Sequence, residues 1–228
     1  MFETELKKLL LEHGADDCGF CALGEHASAR FPQYGYAVSI VKALSRAVVA
    51  TITDRPGMIY FQHYRAVNAR LDQLALDAVS FIESKGAFAL PVAASQSVPG
   101  DKYSGVFSHK TAAVLSGVGQ VGRNNLLLHP RFGPCIRLAT VLTDLPLVPS
   151  APQVDAHVCS GCDICIKACP AGALHGDGGY DAQKCSEYMK NFRDEGRGAV
   201  CGLCMKACPL TQRYTDPLQG TPAAAQNS

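Results

Sequence analysis

The sequence contains no tryptophan, no excess of charge of either sign and no apolar run approaching the roughly 18 residues that a membrane helix requires. Its 21 basic residues are balanced by 20 acidic ones and are interspersed with them, so the charge pattern gives no support for nucleic-acid binding. The N-terminal residues carry mixed charge and no apolar signal core. We therefore expect a cytoplasmic protein with no membrane or nucleic-acid partner, in a compartment where disulfides are rare.

Cysteine, in contrast, is abundant: eight of the 11 cysteines lie between positions 159 and 208. The phrase C-x2-C-x3-C-P occurs twice, from Cys162 to Pro170 and from Cys201 to Pro209, and Cys159 extends the first copy to C-x2-C-x2-C-x3-C-P. This is the ligand pattern of a bacterial two-cluster ferredoxin. Zinc sites and disulfides are the alternatives, but zinc usually takes two separated pairs of ligands and disulfides need an oxidising compartment. We therefore expect two [4Fe-4S] clusters.

The ligands can be assigned because the last cysteine of each such run binds the other cluster. Gly198 stands where the repeat would place the final ligand, so the nearest unused cysteine, Cys185, is assigned instead. The predicted ligands are Cys159, Cys162, Cys165 and Cys208 for cluster one, and Cys169, Cys185, Cys201 and Cys204 for cluster two. Since this segment has few large apolar residues, we expect its folding to depend on iron.

Three cysteines remain outside this pattern. Cys18 and Cys21 form a C-x-x-C, which is either a redox pair or two buried core residues, and we favour core packing. Cys135 begins an apolar run and is interpreted as a strand residue rather than a nucleophile.

A chain of 228 residues is long enough for one medium-sized domain and a smaller one, and we predict an α+β protein. Residues 1–150 are expected to form an α/β domain that binds a cofactor or a substrate. Residues 151–214 are expected to form a double [4Fe-4S] ferredoxin-like domain, followed by a disordered tail at 215–228. A proline-punctuated linker is expected at 145–153. Apolar periodicity predicts helices near residues 2–14, 60–81 and 108–116, and strands at 46–53, 88–92 and 136–143.

A G-x-G-x-x-G pattern runs from Gly117 to Gly122. A dinucleotide-binding fold needs a strand before this pattern and a helix after it, whereas a helix is predicted before it here. We therefore expect a tight glycine turn at which the backbone closely approaches a ligand or another strand.

The glycine segment ends at Asn125, the strand after it leads to Asp144, and the lone Cys185 precedes the second cysteine run at Cys201. In these features the chain resembles epoxyqueuosine reductases and the related reductive dehalogenases. The resemblance implies a nitroreductase-like domain that holds a base-off cobalamin beside two [4Fe-4S] clusters, with flavin as the alternative cofactor. It also implies an oxidoreductase that relays single electrons, supplied by a donor such as a ferredoxin or flavodoxin, to that corrinoid or to a small-molecule substrate.

Two departures from the family affect these expectations. The chain ends 20 residues after Cys208, where the tRNA-reducing family member has a helical-repeat extension, so tRNA is not expected as the substrate. The general-acid aspartate of epoxyqueuosine reductases falls near Tyr103 or Ser104. Reductive dehalogenases use a tyrosine acid, which makes Tyr103 the candidate catalytic residue. A solvent-facing loop tyrosine is the alternative.

The predicted cofactor- or substrate-binding residues surround the glycine segment: Ser108, His109, Lys110, Gly117, Gly119, Gln120, Gly122, Arg123, Asn124 and Asn125. Gln120 replaces the tryptophan of the family's segment, and Arg123 is a candidate ligand for phosphate or carboxylate. Two other functions stay open: an electron carrier with an N-terminal docking domain, and a corrinoid-binding protein without catalysis.

Overall fold

The computed structural model describes residues 2–96, 98, 103, 105–151, 158–196 and 198–215. The predicted tail therefore lies outside the described residues except for its first residue, Thr215. The helices are α1 (Phe2–Glu12), α2 (Arg46–Ala50), α3 (Met58–Glu83), α4 (His109–Leu115), α5 (Ile164–Lys167), α6 (Ala182–Asp194), α7 (Leu203–Ala207) and α8 (Pro209–Thr215). The strands are β1 (Asp17–Ala22), β2 (Tyr36–Ala43), β3 (Ala89–Val92), β4 (Gln120–Val121), β5 (Leu127–Leu128) and β6 (Ile136–Thr143).

A four-stranded antiparallel sheet in the order β1-β2-β6-β3 forms the centre of the N-terminal part. Helices cover both faces of this sheet. Successive side chains of β2 point to opposite faces and therefore pack against different helices. Val38 and Ile40 point into the core formed with α1 and α3, whereas Ala37 and Val41 point toward α4. The mixed α and β composition predicted from the sequence is confirmed.

The long helix α3 packs its apolar stripe against the sheet. Leu71, Leu74 and Ala78 are fully buried, and their spacing of three and four residues places them on one helical face. The predicted helix at 60–81 is therefore confirmed and extends to 26 residues. Neither α3 nor any other helix in the described part of the chain is both long enough and apolar enough to cross a lipid bilayer.

Strand β6 matches the predicted strand at 136–143. Helix α4 matches the predicted helix at 108–116, and Ser108 is its N-cap, accepting the Thr111 N–H at 3.3 Å. The predicted strand at 88–92 appears as β3.

The predicted strand at 46–53 is wrong, because its first five residues form α2. Val49 and Ile52 are both buried, and a spacing of three residues brings them to one side of a helical turn. The β-branched composition favoured a strand, but tertiary packing overrides that preference. The position beside β6 is occupied by β2, which the sequence analysis did not predict, and β1 was likewise missed.

Ser150, within the predicted linker, pairs with the free edge of β1. The Ser150 N–H donates to the Phe20 carbonyl at 2.9 Å, and the Ser150 hydroxyl accepts the Phe20 N–H at 3.0 Å. Farther along the chain, α8 is attached to the N-terminal part by the Tyr214 hydroxyl, which donates to the Leu44 carbonyl at 2.7 Å. The cysteine-rich segment is therefore packed directly against the sheet and its helices.

Candidate functional site

Four cysteines, which we call the first cysteine set, line one small cavity: Cys159, Cys162, Cys165 and Cys208. The first three come from the turn before α5 and from α5 itself. Cys208 follows α7, which packs against α5. Pro209 lines the same cavity and begins α8, a position at which the missing N–H leaves no helical hydrogen bond unmade.

The second cysteine set lines a separate cavity and consists of Cys169, Cys185, Cys201 and Cys204. Cys185 lies in the first turn of α6, and Cys204 lies in α7. The two cavities thus divide the eight cysteines in the same way as the crossed-ligation rule.

Gly198 accounts for the incomplete repeat. Its φ of +66° lies in the left-handed region, and a Cβ at this position would stand 2.1 Å from the ring of Phe61. A cysteine at this position would have to adopt a strained left-handed backbone and displace the ring of Phe61. Cys185 therefore stands in the cavity in place of a cysteine at position 198.

The chemistry of the second cysteine set fits a thiolate-bound iron cluster. Burial, followed by the nearby Cys201, Cys169 and Cys185, raises the pKa of Cys204 to about 12. A buried thiol such as Cys204 releases its proton more readily when a bound cation compensates the charge, and iron is a metal that soft thiolates favour. In addition, the Ala173 N–H donates to the Cys169 sulfur at 3.4 Å.

The other three cysteines are core residues. Cys18 and Cys21 project from opposite faces of β1 into different parts of the core, so they do not face each other. Burial raises the pKa of Cys18 to about 12 and that of Cys21 to about 11, which disfavours the reactive thiolate. Cys135 is buried just before β6, with its sulfur 3.2 Å from the Thr211 hydroxyl. The redox-pair alternative is therefore not supported.

A much larger cavity of about 710 Å³ opens between β6, α4 and the loop after β3. Its volume is in the range of small-molecule and cofactor sites. The large cavity and the cavity of the second cysteine set share six lining residues: Tyr64, Leu126, Pro134, Ile136, Arg137 and Tyr180. The second cysteine set is therefore the one next to the large cavity.

The structure divides the predicted binding residues into two groups. The residues that line the large cavity are Tyr103, Ser108, His109, Lys110 and Asn125. The residues that are not among its lining are Gly117, Gly119, Gln120, Gly122, Arg123 and Asn124. Only the first group is positioned to contact a molecule in this cavity. Tyr103 is half exposed.

The glycine segment is structural. It leads into the hairpin formed by β4 and β5, and Gly117 has a φ of +70°. A Cβ on Gly119 would stand 2.5 Å from the Leu128 carbonyl oxygen. The expected tight turn with a close backbone approach is confirmed, and α4 stands where a dinucleotide-binding fold needs a strand.

Arg123 is not available to a ligand of the large cavity. Its Nη1 lies 2.6 Å from Oδ1 of Asp163 and 3.2 Å from the Cys162 carbonyl oxygen, and Nη2 donates to the Gly176 carbonyl. The guanidinium therefore joins the β4–β5 hairpin to the first cysteine set. Asn124 also faces that region, because it lines the cavity of the first cysteine set.

Lys110 is held at the wall of the large cavity by Asn125. Its Nζ donates to the Asn125 carbonyl at 3.0 Å and to Oδ1 of the same residue at 2.7 Å. Asn125 has a φ of +57°, and this left-handed backbone brings both oxygens toward the lysine. Burial lowers the pKa of Lys110, and the ammonium is fixed facing the cavity.

His109 is bonded at both ring nitrogens. Nε2 lies 2.9 Å from the Ala93 carbonyl oxygen, and Nδ1 lies 2.8 Å from the Thr140 hydroxyl. Because a carbonyl only accepts, Nε2 carries the proton and the Thr140 hydroxyl donates to Nδ1. Burial lowers the pKa of His109, so the ring is neutral and is not a proton donor at neutral pH.

Sequence reasoning missed Arg137 and Tyr180. Arg137 is the single charge in the apolar strand β6, and this was the available signal. Its Nε donates to Oδ1 of Asn68 at 2.9 Å, and Nη2 donates to the Ala94 carbonyl at 3.2 Å. Tyr180 lies in a loop without periodicity, and its place beside Cys185 in the lining of the second cysteine set's cavity was not visible in the sequence.

Comparison with known proteins agrees with this geometry. Residues 152–175 match the 4Fe-4S binding domain family. The chain is therefore an iron–sulfur protein by class. It is 31% identical over 188 residues to the epoxyqueuosine reductase of Staphylococcus aureus. This aligned region covers 76% of this chain and 46% of that relative. The chain thus spans about half of that relative's length.

Two solved structures are similar to the chain. One is a reductive dehalogenase, described with a mechanism for B12-dependent dehalogenation, with a TM-score of 0.72 and 22% sequence identity. The superposition covers 90% of this chain and 31% of the dehalogenase chain. An epoxyqueuosine reductase, solved with an epoxyqueuosine-modified tRNA stem loop, has a TM-score of 0.63 and 22% identity over 95% of this chain and 68% of that one. The chain has the fold of both families, and the resemblance identified from the sequence is confirmed.

The expectation that nucleic acid is excluded as a partner is wrong. Its basis was the even distribution of basic and acidic residues along the sequence. The relatives, however, include epoxyqueuosine reductases, and one of them is solved with a tRNA stem loop. The overall charge balance therefore does not exclude an RNA partner for this fold.

Proposed function

We propose that this protein is a reductase in which two [4Fe-4S] clusters carry single electrons to the large cavity. The first cysteine set holds cluster one, and the second cysteine set holds cluster two. Residues 151–214 act as the electron-transfer part, and residues 1–150 act as a nitroreductase-like part that holds the electron acceptor. The electrons come from a small donor such as a ferredoxin or flavodoxin. A cytoplasmic compartment is part of the proposal, since the thiols must stay reduced before iron binds.

The observation that carries this proposal is the shared wall between cluster two and the large cavity. Six residues line both spaces, whereas the first cysteine set's cavity and the large cavity have no lining residue in common among those that the structure describes. An electron leaving cluster two therefore reaches the large cavity without crossing the sheet. Cluster one then stands on the side from which the donor delivers electrons.

The large cavity fits an organic cofactor. It combines apolar walls from β6 with hydroxyl and amide groups from Ser95, Gln96 and Ser108. These groups suit the amide-rich rim of a corrinoid, and we propose base-off cobalamin as the occupant, with flavin as the alternative. When bound, such a group supplies a centre that takes up electrons one at a time.

The charged lining indicates which substrates the large cavity accepts. Lys110 and Arg137 line it, and no aspartate or glutamate is among its described lining residues. The Arg137 guanidinium has donors beyond the two that are bonded to Asn68 and Ala94. We therefore propose that the substrate carries an anionic group. A nucleotide within RNA and a small organic acid both satisfy this condition.

Protonation of the reduced substrate is assigned to Tyr103. Its phenol lines the large cavity, while His109 is neutral and already donates to a backbone carbonyl. A phenol donates a proton when the reduced product is sufficiently basic. A Tyr103→Phe variant is then expected to bind substrate with unchanged affinity and to turn over at least tenfold more slowly, within the usual contribution of a general acid.

The first test is the metal content of protein purified without oxygen and reconstituted with iron and sulfide. Two clusters correspond to about eight iron atoms per chain. Cys185→Ser is expected to lower this number toward about four, whereas Cys135→Ser, which removes a buried thiol outside both sets, leaves it unchanged. Bound zinc, or a colourless protein, would contradict the proposal.

The second test identifies what the large cavity holds. Cobalamin and flavin are titrated separately into the reconstituted protein while absorbance is followed, and cluster reduction is then started with dithionite. Binding followed by reduction of the bound cofactor supports the reductase. Binding without reduction supports a corrinoid-binding protein, and no binding of either supports an electron carrier. An epoxyqueuosine-modified tRNA stem loop and its unmodified counterpart test the RNA substrate.

A further inference from the structure

We propose that Arg46, Arg131 and Arg213, which we call the arginine surface, form the docking site for an acidic one-electron carrier protein that reduces cluster one. This inference rests on the proposed function, because it requires the first cysteine set to hold the cluster that receives electrons. In the transfer, one electron oxidises the carrier and reduces the cluster, and no bond is formed or broken. The inference assigns the place at which electrons enter the protein.

The three arginines are gathered around α8. Arg213 belongs to this helix, and the adjacent Tyr214 packs edge-to-face on Phe132 at 5.5 Å between ring centroids. The Arg131 guanidinium lies over the same Phe132 ring, with Cζ 5.0 Å from its centroid. Arg46 begins α2, which packs against α8. Three segments that are far apart in sequence therefore bring their positive charges together around one helix.

The loop that carries Arg131 is also fixed against the start of α8. A Cβ on Gly133 would stand 2.7 Å from Cβ of Leu210, so the backbone of this loop approaches the helix closely. At the other end of α8, the Tyr214 hydroxyl donates to the carbonyl of Leu44, two residues before α2 begins. The arrangement of the arginine surface is thus set by packing on both sides of the helix.

The positive charge of this surface is not neutralised by its neighbours. None of its three guanidiniums forms an ion pair with a carboxylate among the residues that the structure describes. Two carboxylates lie at the same end of the sheet, but Asp16 is paired with Lys42 and Asp17 with Lys7, each at 2.9 Å. Uncompensated surface charge attracts a partner of opposite sign and speeds its association.

The arginine surface borders the cavity of the first cysteine set, because Arg213 lines that cavity. Cys159 and Cys162 in the same lining are only half-buried, and Ser160 between them is exposed. A cluster held there lies close to the protein surface, where a carrier can reach it. Since the described lining of this cavity shares no residue with the large cavity, a substrate of the large cavity binds elsewhere. The location therefore favours a protein carrier over an RNA.

The test is stopped-flow reduction of the reconstituted protein by an acidic [2Fe-2S] ferredoxin, with the cluster absorbance followed at several salt concentrations. Electron-transfer complexes are small, and their association rates depend on complementary charge. Arg131→Glu is therefore expected to lower the second-order rate constant about tenfold at low salt. At about 1 M salt the difference from wild type should disappear, because the Debye length is then about 3 Å. Arg46→Glu repeats the test at a second position and is expected to act in the same direction.

Arg30→Glu is the matched control, and it changes the net charge by the same amount. Arg30 is exposed in the loop that joins β1 to β2, at the opposite end of these strands from Arg46. It is expected to leave the rate constant within about twofold of wild type. The iron content of each variant is measured first and is expected to equal that of wild type.

Two further measurements separate docking from the properties of the cluster. The radical cation of methyl viologen is a small donor that needs no docking site, and it is expected to reduce Arg131→Glu at least as fast as wild type. The affinity for oxidised ferredoxin, measured without electron transfer, is expected to fall about tenfold in Arg131→Glu at low salt.

The possible outcomes separate this inference from the proposed function. Unchanged ferredoxin rate constants in Arg131→Glu and Arg46→Glu, with clusters that methyl viologen reduces, would overturn the inference and leave the reductase proposal intact. An equal loss in Arg30→Glu would also overturn it, since net charge alone would then explain the effect. Weaker binding of a tRNA stem loop by Arg131→Glu, with unchanged ferredoxin rates, would assign the surface to RNA instead. A wild-type protein without reducible clusters would overturn both proposals. A loss confined to the variants of the arginine surface is the supporting result.

Discussion

The guanidinium of Arg137 lies over the ring of Tyr64, with Cζ 4.4 Å from the ring centroid. Both side chains line the large cavity and the cavity of the second cysteine set, so this cation–π pair stands at their junction. Arg137 also supplies the donor that the amide oxygen of the buried Asn68 requires. One side chain therefore supports the wall, satisfies a buried polar group and gives the cavity a positive charge.

The first prediction concerns the loss of this arginine. Arg137→Met leaves the Asn68 oxygen buried without its donor, and we expect a loss of about 1–3 kcal/mol in the free energy of unfolding. Affinity for an anionic ligand of the large cavity falls in the same variant. Arg65→Met is the control, because Arg65 is exposed and lies 5.7 Å from the centroid of Phe61. Urea unfolding and ligand titration test the prediction, and equal stability of the two variants would contradict it.

The second prediction concerns the junction at cluster one. Arg123→Gln removes the ion pair with Asp163 and weakens the hydrogen bonds to the Cys162 and Gly176 carbonyls. A loss of about 1 kcal/mol in local stability corresponds to roughly fivefold faster opening, so cluster one is expected to release iron to a chelator about fivefold faster. Lys167→Gln, on the exposed side of α5, is the control. Identical release rates in wild type and Arg123→Gln would refute the role.

The third prediction follows from Asp17. Burial acts to raise the pKa of this carboxyl, but hydrogen bonds from His129 and Lys7 outweigh it and lower the pKa to about 2. Because the folded-state pKa is below the unfolded one, the stabilisation is complete above about pH 4 and is lost as the pH falls through about 2.

Asp17→Asn is therefore expected to lower the free energy of unfolding by about 1–2 kcal/mol, after allowance for solvent screening of this partly exposed group. The difference from wild type should stay constant between about pH 7 and 9, since the carboxyl is ionised in both states throughout that range. Asp54→Asn is the control at a fully exposed carboxylate. A difference that changes with pH in that range would show that another group carries the effect.

The sequence predicts the elements whose pattern is complete within one segment. The stripe on α3 and the apolar run of β6 were found because their own periodicity reports which face is buried. Strand β2 was missed. Helix α2 was assigned as a strand, since Val48, Val49 and Ile52 have β-branched side chains whose burial depends on distant helices.

The candidate site likewise has one part that the sequence predicts and another that it does not. The spacing of the cysteines identifies two sets of four, because a cluster constrains distances along the chain as well as in space. The walls of the large cavity come from six separate segments, and the residues that join it to the cavity of the second cysteine set, Tyr64, Arg137 and Tyr180, are far apart in sequence. Only the contacts of the folded chain bring them together, so no local pattern predicts their proximity.

Gly198 stands where the repeated cysteine pattern would place a further ligand. If position 198 were merely an alternative ligand position, Gly198→Cys would restore iron to a Cys185→Ser protein. The structure argues against this, because Gly198 has a positive φ and a Cβ there would stand 2.1 Å from the ring of Phe61. The double variant Cys185→Ser, Gly198→Cys is therefore expected to hold no more iron than Cys185→Ser alone. It should also be less stable by about 1–3 kcal/mol, from left-handed backbone strain and overpacking. Recovery of about eight iron atoms per chain in the double variant would mean that α3 yields to the new side chain, and that the position of Cys185 on α6 is not required for cluster two.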